Sequence, residues 1–464
     1  MAFTEFYCNA STGSNINAGD LTANGVVTST NGDWDNAAAN RFTAASGTPF
    51  SGVSVGNFAS VYLDGATVAV YIGRVTAVNG GGASLDISAT AKSGTKPSAG
   101  ATGRSCTTGG AWKGPNGTEA FPLNFVENTM VNSSSHPVRV NLQNTATYNI
   151  TAGITIANSY LRFQGYTTTV GDFGRAILDG GTTNATLLTV SGGNNCLADL
   201  IVQNNATGTA IDGILSSGQE NLLLRCVTNG IRRRGFSFGT NDTAIECEAY
   251  ACNGANQTAS GGFYSGGLNR LIRCISHDNV GSNSAGFYTV SAPHYSECIA
   301  DTNGGAGFQL LTTLALSLSG CASYNNTGSG YLLTNSSGSA PCVLVIENNA
   351  AVSNGGWGIE ITGAQGIQGI VQNCGFHNNT SGTLTFGAHH GIVEIGSVTL
   401  GAVPWADAPN GDFRITLAAA KGTGRGTYTQ TAASYAGTIG YPDIGTAQHQ
   451  DTGGGAGLAR IIGG

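Results

Sequence analysis

Seven residues share one offset in the chain. Three positions after a recurring cysteine, or the asparagine that once replaces it, stand Asn229, Tyr250, His277, Asp301, Tyr324, Val352 and His377. Several of these are the types that meet sugars. Aromatic rings lie flat on the C–H faces of a pyranose, and imidazole or carboxylate groups bond its hydroxyls. His277 and Asp301 are the pair with acid–base capacity, because a carboxylate beside an imidazole can orient it as a general base. Arg232, Arg233 and Arg234 add three planar guanidinium groups suited to an anionic glycan. The candidate catalytic residues are therefore His277 and Asp301. The candidate glycan-binding residues are Tyr250, His277, Asp301, Tyr324, His377, Arg232, Arg233 and Arg234. The competing reading is an ordinary solvated sheet face, with Tyr and His present for their β-propensity, and arginines in a solvated loop or a subunit contact.

The rest of the acid–base equipment is thin. Asp242, Glu246, Glu248 and Asp278 do not join Asp301 in one clean stack; Glu248 is near but in a different column. No lysine occurs between residues 114 and 420. A glycosidase needs two carboxylates at a set separation, and no pair stands out. There is no Cys-x-x-Cys pair among the 11 cysteines, so neither a zinc site nor any other metal is expected. No cofactor motif is present. His389-His390, just beyond the last repeat, reads as part of a cap.

The elements that must position these residues are written as a repeat. "ADTNGGAGFQL" begins at Ala300 and "AVSNGGWGIEI" at Ala351. Aligned by asparagine, the chain gives a ladder of Asn205, Asn253, Asn279, Asn303, Asn326, Asn354 and Asn379, with "CVTNGI", ending at Ile231, between the first two. An apolar residue follows each turn, usually after glycine: Phe236, Phe263, Phe287, Phe308, Tyr331, Ile359 and Leu384. A period of 20–30 residues made of short strands and glycine-rich turns, without a helical face, marks a solenoid. The expected fold is all-β, a right-handed parallel β-helix with one coil per repeat and each coil about 4.8 Å above the last. Cys226, Cys247, Cys274, Cys298, Cys321, Asn349 and Cys374 then stack inward. So do Thr228, Ala249, Ser276, Ala300, Ser323, Ala351 and Phe376 two positions later. The asparagines are expected at the bend, bonding along the stack and tolerating left-handed backbone.

Composition agrees. Of 464 residues, 72 are glycine and only 10% are charged, too few of the strong helix formers for a helical protein. The formal net charge is −7 and no basic run exceeds Arg232–Arg234, so nucleic acid is not an expected partner. No apolar run reaches the length of a membrane helix. The start, "MAFTEFYCNASTGSN", lacks the pattern of a secretory leader. The expected boundaries are an N-terminal opening segment at 1–48, a small antiparallel β-barrel-like domain at 49–110, the β-helix at 111–400, and a C-terminal cap with a glycine-rich tail at 401–464.

The ends carry a resemblance. "FYCNASTGSNINAG" (Phe6–Gly19) and "GAWKGPNG" (Gly110–Gly117) resemble the two parts of an opening motif found in many parallel β-helix proteins of phages and bacteria. About ninety residues separate the two parts here, so the barrel looks like an insertion. "APNGDFRIT" (Ala408–Thr416) and "YPDIGTAQ" (Tyr441–Gln448) resemble the closing motifs of the same proteins. That family includes lyases, hydrolases, adhesins and phage tail or capsid appendages. Its lyases would show clustered acidic calcium ligands and a basic proton acceptor, which this repeat lacks. The start without a leader pattern, the rigid low-charge solenoid, the separate N-terminal β-domain and the sparse acid–base equipment fit a structural or receptor-binding virion protein, such as a tailspike, fibre or capsid-decorating appendage, that contacts glycans. The expected partners are further copies of the chain (a trimer favoured), other virion proteins and cell-surface polysaccharide. The alternatives are a polysaccharide lyase or glycoside hydrolase on the same fold, or a bacterial surface or self-assembling protein. The apolar "LARII" (Leu458–Ile462) in the tail is a candidate contact with a neighbour.

Overall fold

The computed structural model describes residues 4–9, 27–35, 40–66, 71–94, 96–98, 100–108, 138–150, 152–181, 183–204, 211–253, 257, 259–311, 315–335, 342–363, 366–387 and 391–420. Asn205, His389-His390, "GAWKGPNG", "YPDIGTAQ" and the tail lie outside them. The chain divides into two compact units, residues 1–207 and 208–464. It is an all-β protein: a right-handed parallel β-solenoid, a small N-terminal antiparallel β-barrel and a short C-terminal β-hairpin cap. Right-handed crossovers follow from the twist of parallel strands. Among the described residues no helix is long and apolar enough to cross a membrane.

In the first unit the strand Thr4–Asn9 pairs in parallel with Val138–Gln143, which pairs with Leu161–Tyr166. The opening strand is thus a solenoid rung, and the barrel is inserted after it. The barrel is closed by Val27–Asp35, Arg41–Thr43, Ser84–Gly94, Tyr71–Asn79, Phe58–Leu63 and Ala101–Thr108, in that order. It begins well before the expected residue 49. Trp34 and Phe42, on the two earliest strands, fill its core with Phe50, Tyr71 and Leu85. A three-residue strand such as Arg41–Thr43 leaves too short a period to be read from sequence.

In the second unit each coil contributes one strand to each of three parallel sheets, in chain order, as Leu222–Leu224, Val227–Asn229 and Arg234–Thr240 do for the first, second and third. The second sheet stacks Val227–Asn229, Glu248–Tyr250, Ile275–His277, Ile299–Asp301, Ala322–Tyr324, Ala350–Val352, Gly375–His377 and Val398–Thr399. The inward columns follow the expected register, with the cysteines from Cys226 to Cys321 fully buried. No disulfide is formed among the described residues. In the third sheet Phe236, Phe263, Phe287, Phe308 and Tyr331 stack face to face, with ring centroids 4.8, 4.9, 4.7 and 4.9 Å apart. Offset stacking adds to the apolar burial of each ring.

The asparagine ladder holds the bend after the second sheet. Asn279 Nδ2 donates to Asn303 Oδ1 at 2.6 Å, Asn303 Nδ2 to Asn326 Oδ1 at 2.8 Å, Asn326 Nδ2 to Asn354 Oδ1 at 3.0 Å and Asn354 Nδ2 to Asn379 Oδ1 at 2.9 Å. The same oxygens accept backbone N–H groups: Asn303 N–H reaches Asn326 Oδ1 and Asn326 N–H reaches Asn354 Oδ1. Two expectations change here. Cys252, not Asn253, occupies the ladder position one coil below Asn279, and its N–H donates to Asn279 Oδ1 at 3.0 Å. Asn253 sits one residue further on and bonds Gln257 within its own loop. The left-handed residue of each bend is the one before the ladder asparagine: Asp278 (φ 50°), Thr302 (50°), Asn325 (51°), Ser353 (56°) and Asn378 (49°). The ladder side chains therefore serve the bend with their amides rather than with their backbone.

The ladder also explains the glycine before each stacked ring. A Cβ on Gly307 would strike Ser323 Oγ and lie 2.9 Å from Asn326 Nδ2. The bend between the first and second sheets has its own left-handed column, whose charges alternate through Arg225, Glu246, Arg273 and Glu297. Arg273 reaches Glu246 at 3.1 Å and Glu297 at 3.9 Å.

A second, shorter ladder lies at the bend before the first sheet. Asn221 N–H donates to Asp242 Oδ1 at 2.9 Å, and Asp242 N–H donates to Asn269 Oδ1 at 2.8 Å. Asp242 is buried and its Oδ2 has no hydrogen bond among the described residues. Burial pushes its carboxyl up to about 6, against the opposing pull of the Asn221 N–H. A carboxyl raised in the folded state destabilises once it must ionise, so stability falls as pH rises from the ordinary value through about 6.

Two outcomes follow from the ladders. Asn326→Ala leaves the Asn303 N–H and the Ala300 carbonyl without their partner and should cost about 2–4 kcal/mol in chemical denaturation. Asp242→Asn should raise stability by about 1–3 kcal/mol at pH 8 and by little at pH 4. An equal gain at both pH values would assign the effect to packing instead.

Candidate functional site

The outward column of the second sheet is in the register the sequence implied: Asn229, Tyr250, His277, Asp301, Tyr324, Val352 and His377 are successive Cα partners. It is not a uniform surface. The C-terminal segment lies along its later coils. Trp405–Asp407 and Asp412–Ile415 form an antiparallel hairpin, turned by a 3-10 helix at Ala408–Asn410 and by Gly411 at φ 78°. Trp405, Phe413, Ile415 and Leu400 pack on Ala322, Ala350 and Val352. Tyr324 meets Trp405 and Phe413 edge-on, at 5.8 and 6.2 Å. His377 Nδ1 lies 2.9 Å from the Leu400 carbonyl oxygen. The closing segment caps the solenoid from the side, so Val352 and His377 belong to its packing and Tyr324 forms its edge.

The cap leaves the earlier coils uncovered. There Tyr250 and His277 stack at 5.0 Å with their planes 12° apart. His277 Nε2 lies 3.1 Å from Glu248 Oε1 and Nδ1 lies 2.8 Å from Asp278 Oδ2. Asp301, the Cα partner of His277, bonds instead to the Thr302 hydroxyl at 2.6 Å. The imidazole is therefore oriented by Glu248, from a column the sequence kept apart, and by Asp278, its own neighbour. Burial lowers the His277 pKa, but the two carboxylates outweigh it and the net shift is upward. Burial, then the Asp278 charge, pushes the Asp301 carboxyl up to about 6, with Thr302 and His277 opposing. Tyr324 is raised by burial and by Asp301 and Asp407, which tie the cap edge electrostatically to the cluster.

The three arginines are drawn into the fold. Arg233 forms a two-pronged ion pair with buried Asp212, Nε to Oδ1 and Nη2 to Oδ2, both at 2.8 Å. Arg234 lies over the Tyr264 ring at 3.4 Å, donates to the Ala259 carbonyl at 2.8 Å and is lowered by burial and by Arg233. Arg232 is half-buried. Their sequence neighbourhood could not show this, because Asp212 and Tyr264 are supplied by the adjacent coils. Among the described residues no group of three His, Cys, Asp or Glu side chains is arranged to hold a metal ion.

The fold and site define a β-solenoid with a lateral cap and a ring-and-carboxylate cluster at the cap's edge. No family model matches the chain, and no curated protein matches it. Among solved structures it is similar to the pectin methylesterase of Aspergillus niger, with 11% identity and a TM-score of 0.26 over 57% of this chain and 78% of that one. It is also similar to ORF18 of Geobacillus virus E2, with 13% identity and a TM-score of 0.27 over 59% of this chain and 56% of that one. The chain thus spans little more than half the length of the viral protein. At these values neither likeness bears on activity.

The raised His277 pKa has a consequence for stability. A histidine raised above its ordinary 6.5 stabilises fully below that value and loses the contribution as pH rises through its folded value. The melting-temperature difference between wild type and His277→Gln should be largest at about pH 6 and shrink above neutrality. A difference independent of pH would mean that the ring acts through stacking alone.

Proposed function

We propose that the chain is a structural, glycan-contacting β-solenoid of a phage virion, a tailspike, fibre or capsid appendage. The observation that carries the glycan reading is the parallel Tyr250–His277 ring pair beside the aromatic edge of the cap. The stacked rings cover each other's facing surfaces and leave an aromatic edge for sugar C–H groups, and Glu248, Asp278 and Asp301 offer acceptors for hydroxyls. Three carboxylates around one imidazole favour neutral or amine-bearing sugars over polyuronates. With Arg233 and Arg234 engaged inside the fold, an anionic glycan would lack their cations. The solenoid suits a rigid appendage, since buried ladders fix each coil to the next. The resemblance of the opening and closing segments to phage and bacterial β-helix proteins supports the virion as its place.

A second reading rests on Asp301. A carboxyl that keeps its proton to about pH 6 beside Glu248 and Asp278 could protonate a glycosidic oxygen. Hydrolysis is then the competing function.

One experiment separates them. The full chain is incubated with a panel of bacterial polysaccharides, with binding and chain length both measured. Binding without shortening, weakened about tenfold or more by Tyr250→Ala, supports the structural reading, since one lost stacking partner is worth about 1–2 kcal/mol. Shortened chains, abolished by Asp301→Asn with binding retained, would establish hydrolysis instead. Binding untouched by Tyr250→Ala would remove this face as the site.

A further inference from the structure

The outward column of the second sheet is broken at one coil. Tyr250, His277, Asp301 and Tyr324 are Cα partners on successive coils, so the column reads ring, ring, carboxylate, ring. Paired strands lie about 4.8 Å apart, which places the Cα atoms of His277 and Tyr324 about 9.6 Å from each other. Between them the column holds only the side chain of Asp301, which reaches less far from the sheet than either ring. Beyond its carboxyl lies one ring position that no side chain of the column fills.

Both walls of that position are held. Tyr250 stacks on one face of His277, and the opposite face turns toward the coil of Asp301. Glu248 and Asp278 bond the two imidazole nitrogens. Tyr324 is braced edge-on by Trp405 and Phe413. The next member of the column, Val352, is buried in the packing of the cap, so the column closes above Tyr324. At the floor, Asp301 Oδ1 accepts from the Thr302 hydroxyl. Burial, then the Asp301 charge, raises Tyr324, which puts the carboxylate within electrostatic reach of that ring. His277, Asp301 and Tyr324 are all half-buried, so the position opens to solvent.

A ring placed there lies one step, about 4.8 Å, from each wall, within stacking range. The ring must be apolar on both faces and polar at its rim. A pyranose chair with equatorial substituents meets that demand, because its C–H groups point to the two faces and its hydroxyls lie around the edge. An axial hydroxyl would be pressed against a ring face and lose its hydrogen bonds to water without replacement.

We infer that the rung of Asp301 is a subsite for one sugar residue, in which a gluco-configured pyranose is sandwiched between His277 and Tyr324 with its hydroxyls on the Asp301 carboxyl. This rests on the glycan reading of the face and narrows it to one position and one sugar class.

Calorimetric titration of the full chain with cellohexaose and with mannohexaose tests it, because the two differ in the configuration of the 2-hydroxyl, equatorial in the first and axial in the second. Cellohexaose should bind about tenfold or more tighter. Asp301→Phe puts a ring into the open position and should abolish cellohexaose binding without lowering the melting temperature. Tyr324→Leu keeps an apolar contact for the cap and should weaken binding about tenfold or more. Equal affinity for the two hexaoses, or cellohexaose binding untouched by Asp301→Phe and Tyr324→Leu, would overturn the subsite and leave the glycan reading standing. Binding of other polysaccharides with neither hexaose bound would do the same. Binding of no glycan at all would overturn the glycan reading, and the subsite with it.

Discussion

Everything in the second unit depends on one constraint: successive coils stack in register, so each side chain meets the same position of the coil above and below. A polar group placed inside such a stack has no water to turn to, and an unmade hydrogen bond there costs about 1–3 kcal/mol. The asparagine ladder meets the constraint at the bend. Each amide accepts with its oxygen from the coil below and donates its N–H groups to the side chain above and to backbone carbonyls, as at Asn326. The bend itself is made by a left-handed residue just before, and the amides repair what the bend leaves unpaired.

The same constraint orders the other columns. Cysteine fills a narrow inward position without polar demand. Phenylalanine stacks because its neighbour in the next coil is phenylalanine. Glycine precedes it because a Cβ there would strike the ladder. Where the rule is broken, the break is informative. Asp242 stands between two asparagines in the second ladder, and its uncompensated oxygen makes folding sensitive to pH. Cys252 stands at an asparagine position and shifts Asn253 into a local loop role.

Outside the stack, register produces the site. The outward column brings Tyr250 over His277, and the neighbouring column brings Glu248 to the same imidazole. The lateral cap then divides the face in two. Later coils are buried under Trp405 and Phe413, and earlier ones remain open with an aromatic wall at their side. The stacked ring pair, the carboxylates near His277 and the aromatic wall are what the proposed glycan contact rests on.

The sequence by itself determined the repeat, the inward and outward columns and the presence of a separate antiparallel domain, because strand periodicity and coil length are local properties written in every repeat. It placed His277 and Asp301 on adjacent coils correctly. It could not choose the imidazole's partners, since Glu248 is 29 residues away in sequence and reaches the ring only through the lateral offset of two columns. It could not see that Arg233 is held by Asp212, that the barrel begins at Val27, or that the closing segment lies along the side of the coils. Those depend on which distant surfaces come into contact, and only the tertiary structure decides that, because apolar burial rewards any complementary face and carries no mark of its partner in the local chain.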